Sequence, residues 1–300
     1  MKMAKLVSVV MPTFNRRKYL GEAIDSVINQ SIDDWELLII DDGSTDDTEE
    51  FLRGAYLDSR IRYFKQENQG QSVARNKGIA NSCGTFICFL DSDNRWYPNK
   101  LERQLEEFQN HPNVAMVYGD SKIINAAGEI ISCKNISRYS GRVTAKLLAD
   151  NFISMNTTMT RSQVLKDIGG FNTNNHWDED YDLWLSISIG SKLLYVPDYF
   201  GEYRIMGGQI SDDKESRIQA NERLIFKFVS ENPSVVSDIE KKQAFSKFYQ
   251  RWAYLARSEE RYKDAMGHYF YSIKYSPFRT SAYFGLMKNI VLWGARILMR

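Results

Sequence analysis

The sequence is poor in the features that mark several large protein classes. Its three cysteines, Cys83, Cys88 and Cys133, are odd in number and show no CxxC or Cys/His spacing. This excludes a disulfide framework and a zinc site, so a reducing cytoplasm is the expected setting. No stretch of about eighteen apolar residues runs without charge, and no membrane-spanning helix is expected; attachment to the cytoplasmic face of a membrane stays open. The amino-terminal lysines precede LVSVVMPTF, which is too short for a signal-peptide core, lacks a small-residue cleavage site and reads as a strand. Neither sign of charge is in excess. With 39 Lys and Arg against 38 Asp and Glu, there is no general electrostatic reason to bind nucleic acid. The G-x-G-x-x-G of a dinucleotide fold is missing after the first strand, which excludes a dinucleotide-dependent oxidoreductase.

What is present is an alternation. From residue 6 to about residue 120, apolar β-rich runs alternate with helix-period segments, the pattern of βαβ units and a mostly parallel sheet. LVSVVMPTF, WELLIIDD, IRYFKQ, TFICFLDSD and VAMVYGD are the expected strands. Tyr19, Leu20, Ala23, Ile24, Val27 and Ile28 stack on one face of a helix, and further helices are expected over 46–53 and 71–82. Consecutive rather than alternating apolar residues predict strands buried on both faces. Residues 121–176 are less regular, with a helix-like TAKLLADN, and 121–212 reads as acceptor-side structure. Long helical segments follow over 213–231, 237–259, 262–275 and 279–299. The boundary is placed near residue 212, giving a catalytic domain of 1–212 and a helical extension of 213–300. Within the extension, RYKDAMGHYFYSIKYSP resembles one helical-repeat hairpin, and a lone unit reads as a packing appendage.

Ligands of open α/β sheets bind beyond the carboxyl ends of the strands, where this chain collects Thr13 and Asn15, Asp41 and Asp42, and Asp91 and Asp93. Two carboxylates after FICFL can hold a hard divalent cation, Mn²⁺ or Mg²⁺, although D-x-D is also a common solvated turn. Asp42, before Gly43, can accept from a base N–H or a ribose hydroxyl, while Ser44, Thr45 and Asp46 are good helix caps. A second acidic cluster, Asp178, Glu179, Asp180 and Asp182, opens a segment with helical burial positions. The helix dipole accounts for one or two acids there; four so close repel unless a ligand or partner compensates.

PTFNR, LLIIDDGSTDDT, NQGQSVARNKGI, FLDSDNRWYPNKL and EDYDLW occur in this order and spacing over about residues 5–205. In them the chain resembles the family 2 glycosyltransferases, of GT-A fold. The resemblance implies an α/β, GT-A type fold with a carboxyl-terminal helical extension, residues 1–120 binding the nucleotide sugar. It implies Pro12, Thr13 and Asp42 at the nucleotide with Asn15 nearby, Arg75 and Arg204 at the phosphates, Asp93 as metal ligand and Asp91 in support. It makes Asp180 the general base and Glu179 a positioning residue in a single inverting displacement. His176, Trp177 and Trp96 are acceptor-side candidates or core residues. Gly207 and Gly208 would permit a closing segment. Many relatives carry an aspartate where this chain has Asn94. A UDP-sugar is the implied donor, and a surface polysaccharide or lipid-linked saccharide the implied acceptor. A non-catalytic nucleotide-sugar-binding or assembly subunit is the alternative. A nucleotidyltransferase lacks support because its glycine-rich basic loop is missing.

The last helix has Arg279, Lys288, Arg296 and Arg300, no acid, and large apolar residues including Phe284, Leu286, Ile290, Val291, Trp293, Ile297 and Leu298. It would either pack as a core or homodimer helix, the preferred reading, or lie on an anionic membrane.

Overall fold

The computed structural model describes residues 6–133, 136–175, 177–206 and 213–298. The amino-terminal half alternates as its apolar runs require: β1 (Val7–Thr13), α1 (Arg17–Ile28), β2 (Trp35–Asp41), α2 (Thr48–Ala55), β3 (Ile61–Lys65), α3 (Gln71–Asn81) and β4 (Phe86–Phe89). Every residue of β1 and β2 is buried, as expected of strands covered on both faces. Leu20, Ala23, Ile24 and Val27 of α1 join the core against β1 and β2.

The chain continues through β5 (Arg95–Trp96), α4 (Lys100–Asn110), β6 (Val114–Ile124), β7 (Ile130–Cys133), α5 (Thr144–Leu147), β8 (Met159–Arg161), α6 (Ser162–Asp167), α7 (Glu179–Ser188) and β9 (Lys192–Arg204). Among the described residues the strands form one sheet in the order β3-β2-β1-β4-β8-β6-β9-β5, with β7 paired to β6. β3, β2, β1 and β4 are mutually parallel. β8 is inserted antiparallel between β4 and β6, and β6 and β9 run parallel to each other. The register sets Thr13 opposite Asp41 and Val10 opposite Phe89, so the carboxyl ends of three strands converge and the chain leaves β4 directly into the 91–94 turn. This is the α/β GT-A type arrangement.

The chain forms two compact units, Met1–Arg142 with Phe152–Arg217, and Val143–Asn151 with Ile218–Arg300. The second is helical, built on α8 (Lys214–Glu231), α9 (Asp238–Ser258), α10 (Tyr262–Tyr275) and α11 (Thr280–Leu298). A capping box between Ser237 and Glu240 starts α9. Fully buried Ala253, Ala256 and Ala265 let α9 and α10 approach closely. α11 packs against α10 and α9 through Ala282 and Asn289, its buried residues, while Phe284, Met287, Val291 and Leu298 are exposed.

Candidate functional site

The Asp91–Asn94 turn is built at the end of β4. Its Asn94 amide donates to the Asp91 carbonyl at 3.0 Å, and the preceding Leu90 amide continues the ladder to the Val10 carbonyl. Arg204, at the end of β9, braces the turn from beneath. Its Nε donates to the Asp93 carbonyl at 2.8 Å, its amide to Asn94 Oδ1 at 2.8 Å, and Nη2 to Glu22 Oε2 at 2.7 Å. Nη1 reaches the Asn125 and Ala126 carbonyls. A phosphate contact for this buried guanidinium would require it to surrender part of that brace.

Asn94 serves the turn. Its Oδ1 accepts from the Arg204 amide, and its Nδ2 points at Asp91 Oδ2 across 3.5 Å. An aspartate there keeps the acceptor, loses the donor and adds a charge beside Asp91 at a buried position. Asn94→Asp is therefore expected to cost about 2 kcal/mol of stability at neutral pH without divalent cation. Urea unfolding checks this, and an unchanged midpoint with an unchanged slope would refute it.

The Asp93 side chain is largely buried beside Asp91, and its carboxyl is pushed up from 3.8 to about 6, first by desolvation and then by the Asp91 charge. Arg16 Nε, 3.7 Å from Asp93 Oδ2, and Arg204 oppose that rise.

On the nucleotide side, Pro12 and Thr13 are buried at the tip of β1, and the Thr13 hydroxyl has no hydrogen-bond partner among the described residues. Asn15 takes a left-handed backbone, φ 51°, and its Oδ1 accepts from the Thr45 amide at 2.8 Å. It thereby ties the β1 exit to the 43–46 turn. Gly43 is required in that turn: φ is +84°, and a Cβ would lie 2.9 Å from the Asn68 amide nitrogen. Asp42 is engaged at both oxygens, accepting from Gln66 Nε2 and the Gln69 amide on one and the Gly70 amide on the other. It fixes the loop that opens α3.

The second acidic cluster is distributed among protein partners. Asp178 precedes α7 and lies 3.9 Å from Arg217 Nε, and Asp182 accepts from Asn172 Nδ2 at 2.9 Å. Glu179, buried, accepts from Gln71 Nε2 at 2.5 Å and from Arg75 Nη1 at 2.9 Å. Repulsion between the four acids is thus relieved largely within the chain. Asp180, half-buried, accepts from the Tyr181 amide at 2.6 Å. Burial raises its carboxyl above the ordinary value of 3.8; Arg217 opposes this and Asp178 adds to it. Glu179 is also raised by burial, with Arg75 opposing.

Arg75 joins the two acidic clusters. From α3, almost wholly buried, it sends Nη1 to Glu179 and Nη2 to Asp91 Oδ1 at 2.7 Å. Carboxylates from the exit of β4 and the start of α7 therefore share one guanidinium. Trp96 is a core residue whose indole nitrogen donates to Asn156, whereas Trp177 is exposed. His176, Gly207 and Gly208 lie outside the described residues. Sequence reasoning missed Arg16, Gln71 and Arg217 as charge and hydrogen-bond partners of the site acids. PTFNR and GQSVARN carried the first two as signals; Arg217 has none.

A model of the family described as glycosyl transferase family 2 matches residues 8–169. The chain belongs to glycosyl transferase family 2. A relative in Escherichia coli, UDP-Glc:alpha-D-GlcNAc-diphosphoundecaprenol beta-1,3-glucosyltransferase WfgD, is 33% identical over 76% of this chain and 88% of its own. An uncharacterized glycosyltransferase of Rickettsia felis is 37% identical over 67% of this chain, which spans only 33% of that relative's length. Two further rickettsial relatives are matched over 29% and 33% of theirs. Among solved structures, S. aureus TarS 1-349 in complex with UDP-GlcNAc superposes with TM-score 0.65 at 18% identity, over 95% of this chain and 89% of that one. At that identity the likeness speaks for the fold alone.

Proposed function

We propose that this family 2 chain transfers a sugar from a nucleotide diphosphate sugar, a UDP-sugar, to an acceptor hydroxyl with inversion. The observation that carries the reading is the Arg75 bridge, which makes Asp91 and Glu179 neighbours and so gathers the acids of the 91–94 turn and of α7 at one site. Support for the uridine nucleotide is the UDP-Glc donor in the name of the E. coli relative. The undecaprenyl diphosphate substrate in the same name supports a lipid-linked saccharide acceptor and a role in envelope polysaccharide synthesis.

Among the described residues no group of three or more His, Cys, Asp or Glu forms a metal cage. Asp93 nevertheless fits a cation. Its carboxylate is desolvated, beside a second carboxylate, and faced at 3.7 Å by a half-exposed arginine. A hard divalent ion, Mn²⁺ or Mg²⁺, would be held by Asp93 with Asp91 in support, and the donor's oxygens would complete its shell. When bound, it supplies positive charge to the departing diphosphate.

The remaining chemistry belongs to the chain. Thr13, with its unpartnered hydroxyl, and Pro12 receive the nucleoside at the tip of β1. Asp42 and Asn15 act one step back, holding the loops around it. Glu179, fixed by Gln71 and Arg75, positions the sugar or acceptor. Asp180 takes the acceptor proton as the oxygen attacks the anomeric carbon and the bond to the nucleoside diphosphate breaks; no covalent enzyme intermediate is required. Exposed Trp177 offers an apolar ring face to acceptor sugar.

A panel of nucleotide sugars with Mn²⁺, read by thermal stabilisation and donor hydrolysis, tests the proposal. A UDP-sugar should raise the melting temperature and be hydrolysed slowly. A panel in which none stabilises or reacts would end it. Because Asp93 must ionise to bind metal, Mn²⁺ affinity should rise about tenfold from pH 5 to pH 7, whereas a carboxylate at its ordinary value would change little. Titration calorimetry of wild type and Asp93→Asn measures this, and equal affinity in the two proteins would remove Asp93 as the ligand.

A further inference from the structure

We infer that α11 is a membrane-surface helix whose partner is an anionic lipid bilayer. α11 is docked through one narrow side, where Ala282 and Asn289 are fully buried and Leu286 and Trp293 partly so. At 100° per residue, Tyr283, Phe284, Met287, Ile290, Val291 and Leu298 fall within an arc of about 120° on the opposite side. All are exposed, Phe284 by 75% and Leu298 by 88%. Phe278, just before the helix, is 96% exposed. A contiguous apolar face of this kind requires cover.

Charge selects the cover. From Ala265 to Leu298 the described chain contains no Asp or Glu but carries Lys274, Arg279, Lys288 and Arg296. Lys274 and Lys288 are exposed. Lys288 flanks the apolar arc, at about 100° from Met287. Arg296 is paired with Glu260, but an isologous contact between two copies of α11 would bring Arg279 and Lys288 towards their images with no acid on the helix to pair them. An anionic headgroup layer supplies the missing negative charge, while the acyl boundary accepts the apolar arc. The aromatic residues on the arc, Tyr283 and Phe284, suit that boundary. Among the described residues no helix is long and apolar enough to cross a membrane, so α11 would lie in the interface rather than span it.

The test is flotation of the full chain with vesicles of phosphatidylcholine alone or with about one-third phosphatidylglycerol. Wild type should float with the anionic vesicles at lipid concentrations at least tenfold below those needed with the neutral ones. The triple variant Phe284→Ser, Met287→Ser, Val291→Ser should lose at least tenfold of that binding. Arg279→Glu with Lys288→Glu should lose the preference for anionic lipid. All these side chains are at least partly exposed, so unchanged circular dichroism and melting should accompany both losses. Wild type that floats with neither vesicle would overturn the inference, as would equal flotation of the serine variant. Sedimentation showing a dimer that the serine substitutions dissociate, with lipid binding unchanged, would give the face to a second copy instead.

Discussion

Asp180→Asn is expected to lower turnover about 10³-fold while leaving donor binding within about twofold of wild type. The substitution keeps size and the oxygen that accepts from the Tyr181 amide, so α7 should start as before. What is lost is the capacity to take a proton. The wild-type carboxyl lies above its ordinary value because it is buried and close to Asp178, with the Arg217 charge limiting the rise. Only the ionised form can act as base, so the acid limb of the rate profile should fall above pH 3.8, the group's ordinary value. The same shift makes its stability contribution present at low pH and lost as pH rises through the raised value. Steady-state transfer with a UDP-sugar, compared with nucleotide binding by calorimetry, separates base loss from misfolding. Turnover within tenfold of wild type would assign the proton to another group.

The fold was legible where one local period ruled. β1 and β2 are continuous apolar runs and are buried throughout. The four helices of the second unit lie within one or two residues of their expected ends, because long amphipathic segments bounded by Pro, Ser and Asp carry their limits locally. β9, Lys192–Arg204, has no clear limits in the sequence. Its register on β6 slips between Tyr118 and Asp120, opposite Tyr195 and Tyr199, so the Pro197 and Asp198 region is bulged and the alternation of a strand is broken. β8 is three residues long and owes its place to the strands on either side.

The candidate site was legible in its acids and illegible in their wiring. Asp91, Asp93, Glu179 and Asp180 stand out because carboxylates at element ends are chemically conspicuous. What each one touches depends on residues far away in the chain: Arg204 is 110 positions from Asn94, and Arg75 is 104 from Glu179. No local spacing encodes such pairs. This is why the intramolecular partners of Arg204, in the 91–94 turn, and of Asp42, in the loop before α3, have no signal in the local sequence.

Arg75→Met should destabilise the first unit by about 3 kcal/mol and reduce turnover about 10²-fold. Arg75 is the shared counter-charge of Glu179, which is buried, and of Asp91, which is about one-third exposed. Methionine fills much of the volume but leaves one carboxylate buried without its cation, a cost at the lower end of the range for broken buried pairs because Asp91 retains some solvent. Protonation relieves the deficit, so the stability gap from wild type should narrow as pH falls. Arg75→Lys should recover only part of the loss, since a single ammonium cannot hold two carboxylates in the forked geometry of Nη1 and Nη2. Adding Glu179→Gln to Arg75→Met should restore stability without restoring turnover, because the buried charge is gone while the link between the two clusters is still broken. Urea unfolding at pH 5 and pH 8, with transfer rates alongside, reads all four proteins. A methionine variant as stable as wild type at both pH values would show that the bridge holds nothing together.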